Sequence, residues 1–309
     1  MNNSARLDCS HPRAARFWRR AAGLALVLLF VWFVSAFVVT WKLTHRGSPR
    51  RTEPAPRIEW GELRELRLST ADGEDLGAWW IEAHEPRAAA LLLHGNEGSR
   101  GDSLSAARIL VHEGVSCLLV TLRAHGDSSG ERNDLGWSSR ADVLAGVAEI
   151  ERAHPNLPLL VQGVSLGSAA AIFAGKELGT RVRGYLLELP YSDLDTAVRN
   201  RTRLFLPPVL DWIAALGIQL AGRVILAHAG EISPLERIGD IPASIPLLIL
   251  NGGRDPRARP FEAQALLQAA GAHAKLVTFD DAAHEVLAST HPEPYAAAVR
   301  EWLARCLAR

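Results

Sequence analysis

The stretch Leu159-Leu160-Val161-Gln162-Gly163-Val164-Ser165-Leu166-Gly167-Ser168 opens as a short apolar run of strand type. It closes on Gly-Val-Ser-Leu-Gly, a match to the pattern Gly-x-Ser-x-Gly, and continues into Ala169-Ala170-Ala171-Ile172-Phe173-Ala174, which reads as a helix. Strand, tight turn with serine at the tip, then helix is the context in which this pattern carries a nucleophile. The reason is steric. The serine occupies a strained turn, and glycines two residues to either side keep side chains off the neighbouring strand and helix. Its hydroxyl stands above the sheet edge, and the helix directs its N-terminal N–H groups towards it. A Gly/Ser-rich turn without chemistry would carry the same five residues, so the rest of the chain has to decide.

Strand-like and helix-like segments alternate around this turn. Residues 62–70 alternate apolar and polar, Asp72-Gly73 signals a turn, and 76–83 make a second strand, which together predict an antiparallel hairpin. Continuous apolar strands are expected at 88–93, 115–122, 184–189, 245–250 and 275–279. Helices are expected at 103–113, 136–154, 260–270 and 294–307. Strands that are apolar throughout and alternate with helices belong to a mostly parallel sheet covered on both faces.

A serine nucleophile needs a base, and the base needs a carboxylate to orient it and to stabilise its cation. In an open α/β sheet both belong at the C-terminal ends of later strands. Leu247-Leu248-Ile249-Leu250 leads into Asn251-Gly252-Gly253-Arg254-Asp255, and Leu276-Val277-Thr278-Phe279 leads into Asp280-Asp281-Ala282-Ala283-His284. The order Ser165, Asp255, His284 is the order this architecture requires. Asp280 and Asp281 are rivals close to His284 in sequence, and Asp193 is the fallback acid. An acyl-transfer site also needs N–H donors aimed at the developing oxyanion. Leu166 should supply one. The loop His94-Gly95-Asn96 should supply the other from Asn96, with Glu97 as the alternative and His94 in a structural role.

With these pieces in place the chain resembles the α/β-hydrolases, in particular the Bem46-like and monoacylglycerol-lipase-like (serine aminopeptidase-type) branch. The resemblance rests on Leu93-His94-Gly95-Asn96, Leu122-Arg123-Ala124-His125-Gly126-Asp127-Ser128, Gly163-Val164-Ser165-Leu166-Gly167, Pro190-Tyr191-Ser192, Asn251-Gly252-Gly253-Arg254-Asp255 and Ala283-His284. It implies a catalytic triad of Ser165, Asp255 and His284. Two positions depart from the usual pattern, since Ala124 and Ala283 stand where glycines are common. The fold expected is an α/β-hydrolase domain over residues 59–309 with a small helical lid at about 192–244. The activity expected is cleavage of a carboxylic ester, with a peptidase or amidase, a thioesterase, or a catalytically silent binding protein as alternatives.

Residues 21–41 form a run of 21 without a charge, preceded by a basic leader over 1–20 and followed by a Pro-rich, charged linker over 42–58. The run is long enough to cross a bilayer core as a helix and has no small-x-small cleavage site at its end, so it reads as an uncleaved membrane anchor. Arginines flank it on both sides. A basic leader favours a cytoplasmic N-terminus and an extracytoplasmic catalytic domain. The protein has 309 residues, with 34 basic and 34 acidic side chains, which gives no electrostatic case for a nucleic-acid partner. Cys9, Cys117 and Cys306 are too few and too far apart for a disulfide framework or a metal cluster. No cofactor is expected. The expected partners are an acyl substrate, small or lipid, and the membrane.

Overall fold

A computed structural model describes residues 12–308. The leader up to residue 11, including Cys9, lies outside them. The chain begins with helix α1 (Pro12–Thr44), which contains the whole uncharged run and extends it at both ends. Strands β1 (Glu62–Ser69), β2 (Asp75–Glu82) and β3 (Ala88–Leu93) follow, then α2 (Leu104–His112), β4 (Val115–Val120), α3 (Arg140–Ala153), β5 (Leu159–Val164) and α4 (Leu166–Leu178). Next come β6 (Val182–Glu188), the helices α5 (Leu194–Phe205) and α6 (Pro208–Ile225) in the stretch expected to form a lid, and the short α7 (Pro234–Arg237). The domain closes with β7 (Leu247–Gly252), α8 (Pro260–Ala270), β8 (Ala274–Phe279), α9 (Leu287–Thr290) and α10 (Pro292–Leu307).

The eight strands form one sheet in the order β1-β2-β4-β3-β5-β6-β7-β8. β1 and β2 make the expected antiparallel hairpin, β2 meets β4 antiparallel, and every later neighbour is parallel. This is the α/β-hydrolase architecture. Because successive strand residues point to opposite faces, β3 divides its side chains between two cores. Leu91 and Leu93 pack with Val143 and Val147 of α3 and Ala170 of α4. Ala90 and Leu92 pack with Leu110 of α2 and with Val299 and Trp302 of α10. Cys117 and Cys306 are buried in the second core.

Some boundaries differ from the sequence reading for local reasons. The helix expected from residue 136 starts at Arg140, because Leu135 and Gly136 both take positive φ (57° and 103°). The strand expected to reach 122 stops at Val120, where the Leu122 N–H turns to the His94 imidazole. Residues 42–58 are not a free tether. Lys42, Leu43 and Thr44 finish α1, and His45 bridges Arg132. The buried Arg46 guanidinium donates to the carbonyls of Gly126, Ser128 and Gly130. Further on, Glu53 accepts from the Thr121 hydroxyl at 2.9 Å and pairs with Arg100 at 3.4 Å.

α1 also has a partner in α6. Leu26 and Phe30 in its middle are exposed, whereas Ala36, Thr40 and Thr44 are buried. That buried stripe lies on α6. Trp32 Nε1 donates to the Ile213 carbonyl at 3.1 Å, and a Cβ built on Gly217 would stand 2.9 Å from the Ala36 Cβ. A small residue at such a crossing lets two helix backbones approach.

Beneath the sheet edge, the fully buried Glu188 receives hydrogen bonds from Gln162 Nε2 at 2.6 Å and from the Tyr295 hydroxyl. Burial pushes its carboxyl up to about 7, against the two hydrogen bonds that favour the anion. The folded chain therefore holds the proton at pH values where the unfolded chain has lost it. Stability from this group is complete below about pH 4.5 and declines as pH rises to about 7, by about 3 kcal/mol at most. Replacing Glu188 with Gln should flatten the change in melting temperature between pH 5 and pH 8. Identical pH dependence in the two proteins would remove Glu188 as the source.

Candidate active site

Ser165 sits at the turn from β5 into α4 with φ 50° and ψ −104°, a strained conformation for a residue with a side chain. Its neighbours hold it there. The Ser165 N–H donates to the Glu188 carbonyl at 2.7 Å. Ser168 Oγ donates to the Gly163 carbonyl at 2.6 Å and lies 2.8 Å from that of Glu188. The glycines are required by contact. A Cβ on Gly163 would stand 2.4 Å from the Gly167 backbone, and one on Gly167 would stand 2.4 Å from the Leu93 carbonyl oxygen.

The loops after β7 and β8 bring the two other residues to this point. Asp255 follows β7 and its side chain is fully buried. Asp255 Oδ1 accepts from the N–H groups of Arg257 (2.7 Å) and Ala258 (2.9 Å), which leaves Oδ2 for His284. His284 Nδ1 lies 2.7 Å from Oδ2, and its Nε2 lies 3.2 Å from Ser165 Oγ. A carboxylate on Nδ1 selects the tautomer with the proton there, so Nε2 is free to accept from the serine hydroxyl. Two of the rival acids are engaged elsewhere. Asp193 caps α5 by accepting from the Thr196 N–H at 2.8 Å, and Asp281 lies 3.2 Å from His291.

The loop after β3 completes the wall. A Cβ on Gly95 would lie 3.7 Å from that of Ser165, which puts the 95–97 backbone beside the serine. His94 is a brace: its Nε2 accepts from the Leu122 N–H at 2.9 Å and its Nδ1 donates to the Gly95 carbonyl at 2.7 Å. Burial, with His125 beside it, lowers its pKa to about 3, so the ring is neutral. Asn96 accepts from Asn133 through its side chain at 2.5 Å, and Glu97 takes a positive φ of 62°. Leu166, as the first residue of α4, has an N–H without an intrahelical acceptor.

Ser165, His284, Asn96 and Glu97 line a cavity of about 410 Å³. Leu43 from α1, Leu204 and Phe205 from α5, and Arg201 and Arg257 share its wall, as do Asp102 and Glu285. Leu204 and Phe205 fall in the stretch 192–244 expected to form a lid, but nothing local in the sequence marks Leu43 or Arg201. Among the described residues no group of three or more His, Cys, Asp and Glu side chains could hold a metal ion.

A family model described as serine aminopeptidase, S33, within the hydrolases matches residues 84–240. The chain belongs to this family. The match contains Ser165 and the β3 loop and ends before Asp255 and His284, whose positions rest on the geometry above. The S33 chain is 27% identical to human monoglyceride lipase over 286 residues, 81% of this chain and 91% of that protein. It is 23% identical to the bem46 protein of Schizosaccharomyces pombe over 249 residues, 77% of each. In solved structures its fold matches the Pyrococcus furiosus esterase Pf2001 with a TM-score of 0.70, at 24% identity over 83% of this chain and 96% of that one.

Two substitutions test the backbone constraints. Gly167→Ala pushes a methyl into the Leu93 carbonyl and should lower stability by about 2 kcal/mol or more. Ala124 stands at φ 60°, where a Cβ costs about 1 kcal/mol. Ala124→Gly should therefore raise the melting temperature. Denaturant midpoints read both, and a destabilised Ala124→Gly variant would contradict the strain.

Proposed function

We propose that this S33 hydrolase is anchored in a membrane by α1 and cleaves a carboxylic ester through Ser165, His284 and Asp255. The observation that carries the reading is the hydrogen-bonded series from Ser165 Oγ to His284 Nε2 and from His284 Nδ1 to Asp255 Oδ2, at 3.2 and 2.7 Å. Ser165 attacks the substrate carbonyl while His284 takes its proton. Asp255 holds the imidazole in place and stabilises its cation. The N–H groups of Asn96 and Leu166 receive the oxyanion. The tetrahedral intermediate collapses as His284 gives its proton to the leaving alcohol, and water then releases the acyl group by the same route in reverse.

Two features favour an ester with an apolar part. One relative is named monoglyceride lipase, and Leu43, Leu204 and Phe205 give the cavity an apolar side. The span Arg16–Thr44 is long and apolar enough to cross a membrane, and its outward face carries Leu26, Phe30 and their neighbours. An amide-cleaving alternative has one observation behind it, since Glu97, Asp102 and Glu285 in the wall could receive an ammonium group.

The full-length protein in detergent should react with a fluorophosphonate probe, and Ser165→Ala should not. Absence of labelling in the wild type, or equal labelling of both, would reject Ser165 as nucleophile and favour a silent binding protein. Asp255→Asn should lower kcat by about 10³–10⁴-fold. Acyl esters should turn over faster than aminoacyl amides, and the reverse ranking would select the peptidase reading.

A further inference from the structure

The anchor does more than tether. We infer that the end of α1 forms one wall of an acyl-chain pocket, closed on its other side by the lid helices and continuous with the Ser165 cavity. The inference rests on the ester-hydrolase reading above and names the part of the substrate that this region takes.

A narrow, mostly apolar pocket of about 50 Å³ lies between α1 and the lid. Thr40, Leu43 and Thr44 of α1 face Ala197 of α5 and Ile218 and Gly222 of α6 across it. Leu43, Asn96 and Arg201 belong to its wall and to that of the Ser165 cavity, so the two adjoin. The threonines keep the pocket apolar because their hydroxyls turn back on the helix: Thr40 Oγ1 donates to the Ala36 carbonyl and Thr44 Oγ1 to that of Thr40, both at 2.8 Å. Gly222 is buried, yet a Cβ built on it meets nothing within 4 Å, as expected beside unfilled space.

The position selects the acyl side of the ester. Asn96, the proposed oxyanion donor, lines both cavities, whereas His284, Glu285 and Val286 line the Ser165 cavity and are absent from the pocket. The leaving oxygen must lie towards His284, which protonates it, so the group pointing away from His284 into the pocket is the acyl chain.

The surroundings say where such a chain comes from. From Trp32 to Thr44 the anchor covers roughly 18 Å at the helical rise, a little over half of a hydrocarbon core about 30 Å thick. α6 lies along this part of α1, so it runs within the leaflet nearest the domain. Its outward residues fit that place: Val209, Trp212 and Val224 are 72, 53 and 69% exposed, and Phe205 just before it is 80% exposed. An acyl chain leaving the leaflet meets the α1–α6 surface first and the pocket next.

The test holds the leaving group constant. The full-length protein, in detergent and in phosphatidylcholine vesicles, is assayed with p-nitrophenyl esters from acetyl to palmitoyl. Gly222→Leu fills the pocket from the lid side and Thr40→Leu from the anchor side. Each should lower the ratio of long-chain to acetyl kcat/KM by about tenfold, and Gly222→Ala should fall between wild type and Gly222→Leu. Wild-type chain-length profiles in all three variants would overturn the pocket. A shift with Gly222→Leu but none with Thr40→Leu would overturn the anchor's part in it. Fluorophosphonate labelling separates this from the parent reading. An unlabelled wild type defeats the hydrolase assignment, whereas labelled variants with unchanged profiles defeat the pocket alone.

Discussion

The contact on which the site depends is backbone on backbone, where the first turn of α4 presses against the end of β3. At Gly167 no side-chain carbon fits between helix and the Leu93 carbonyl, and at Gly163 none fits between strand and helix. This closeness leaves the connecting residue a φ of 50°, which a serine accepts at a cost of about 1–3 kcal/mol. The cost is borne because three strands hold the turn. β3 lies beneath Gly167, β5 enters the turn, and β6 receives the Ser165 N–H through the Glu188 carbonyl. Ser165 is thus fixed by peptide groups that few side-chain changes can move.

The other residues arrive by the same sheet. Parallel strands end on one edge, so the loops after β3, β7 and β8 converge where β5 delivers Ser165. Each loop is then fixed separately. Asp255 binds two N–H groups of its own loop through one oxygen, which aims the other. His94 crosses from the β3 loop to the Leu122 N–H, and its neutral ring holds a tautomer that brings no charge near His284. The alignment of His284 between Asp255 and Ser165 follows from these restraints and from the spacing of adjacent strands.

How far the sequence could be read follows from the range of the interactions. The Gly-x-Ser-x-Gly turn, the apolar parallel strands and the order Ser165, Asp255, His284 are local or topological, so they were legible. The start of α3 was not, because Leu135 at φ 57° carries no glycine to announce it. Residues 42–58 looked like a solvated linker because a charge run does not name its partners. Arg46 binds carbonyls some 80 residues away, and Glu53 meets Arg100 and Thr121. The expected lid at about 192–244 said nothing of how α6 divides its apolar surface, because that is set by its crossing with α1 at Gly217, far away in sequence.

That crossing and the Arg46 clasp act together. A single anchor joined through a flexible tether would let the domain tumble above the bilayer. Here α1 is held at one point by the Trp32–Ile213 hydrogen bond and the Gly217 contact, and just past its end by Arg46 on the loop 126–130. Two fixed points along a rigid helix leave little freedom for rotation about its axis, so the same stripe of α1, with Ala36, Thr40 and Thr44, keeps facing the domain. Whatever orients α1 therefore orients the Ser165 cavity with it. A helix kept in that register is rigid enough to form a wall of the site, which an anchor on a loose linker could not do.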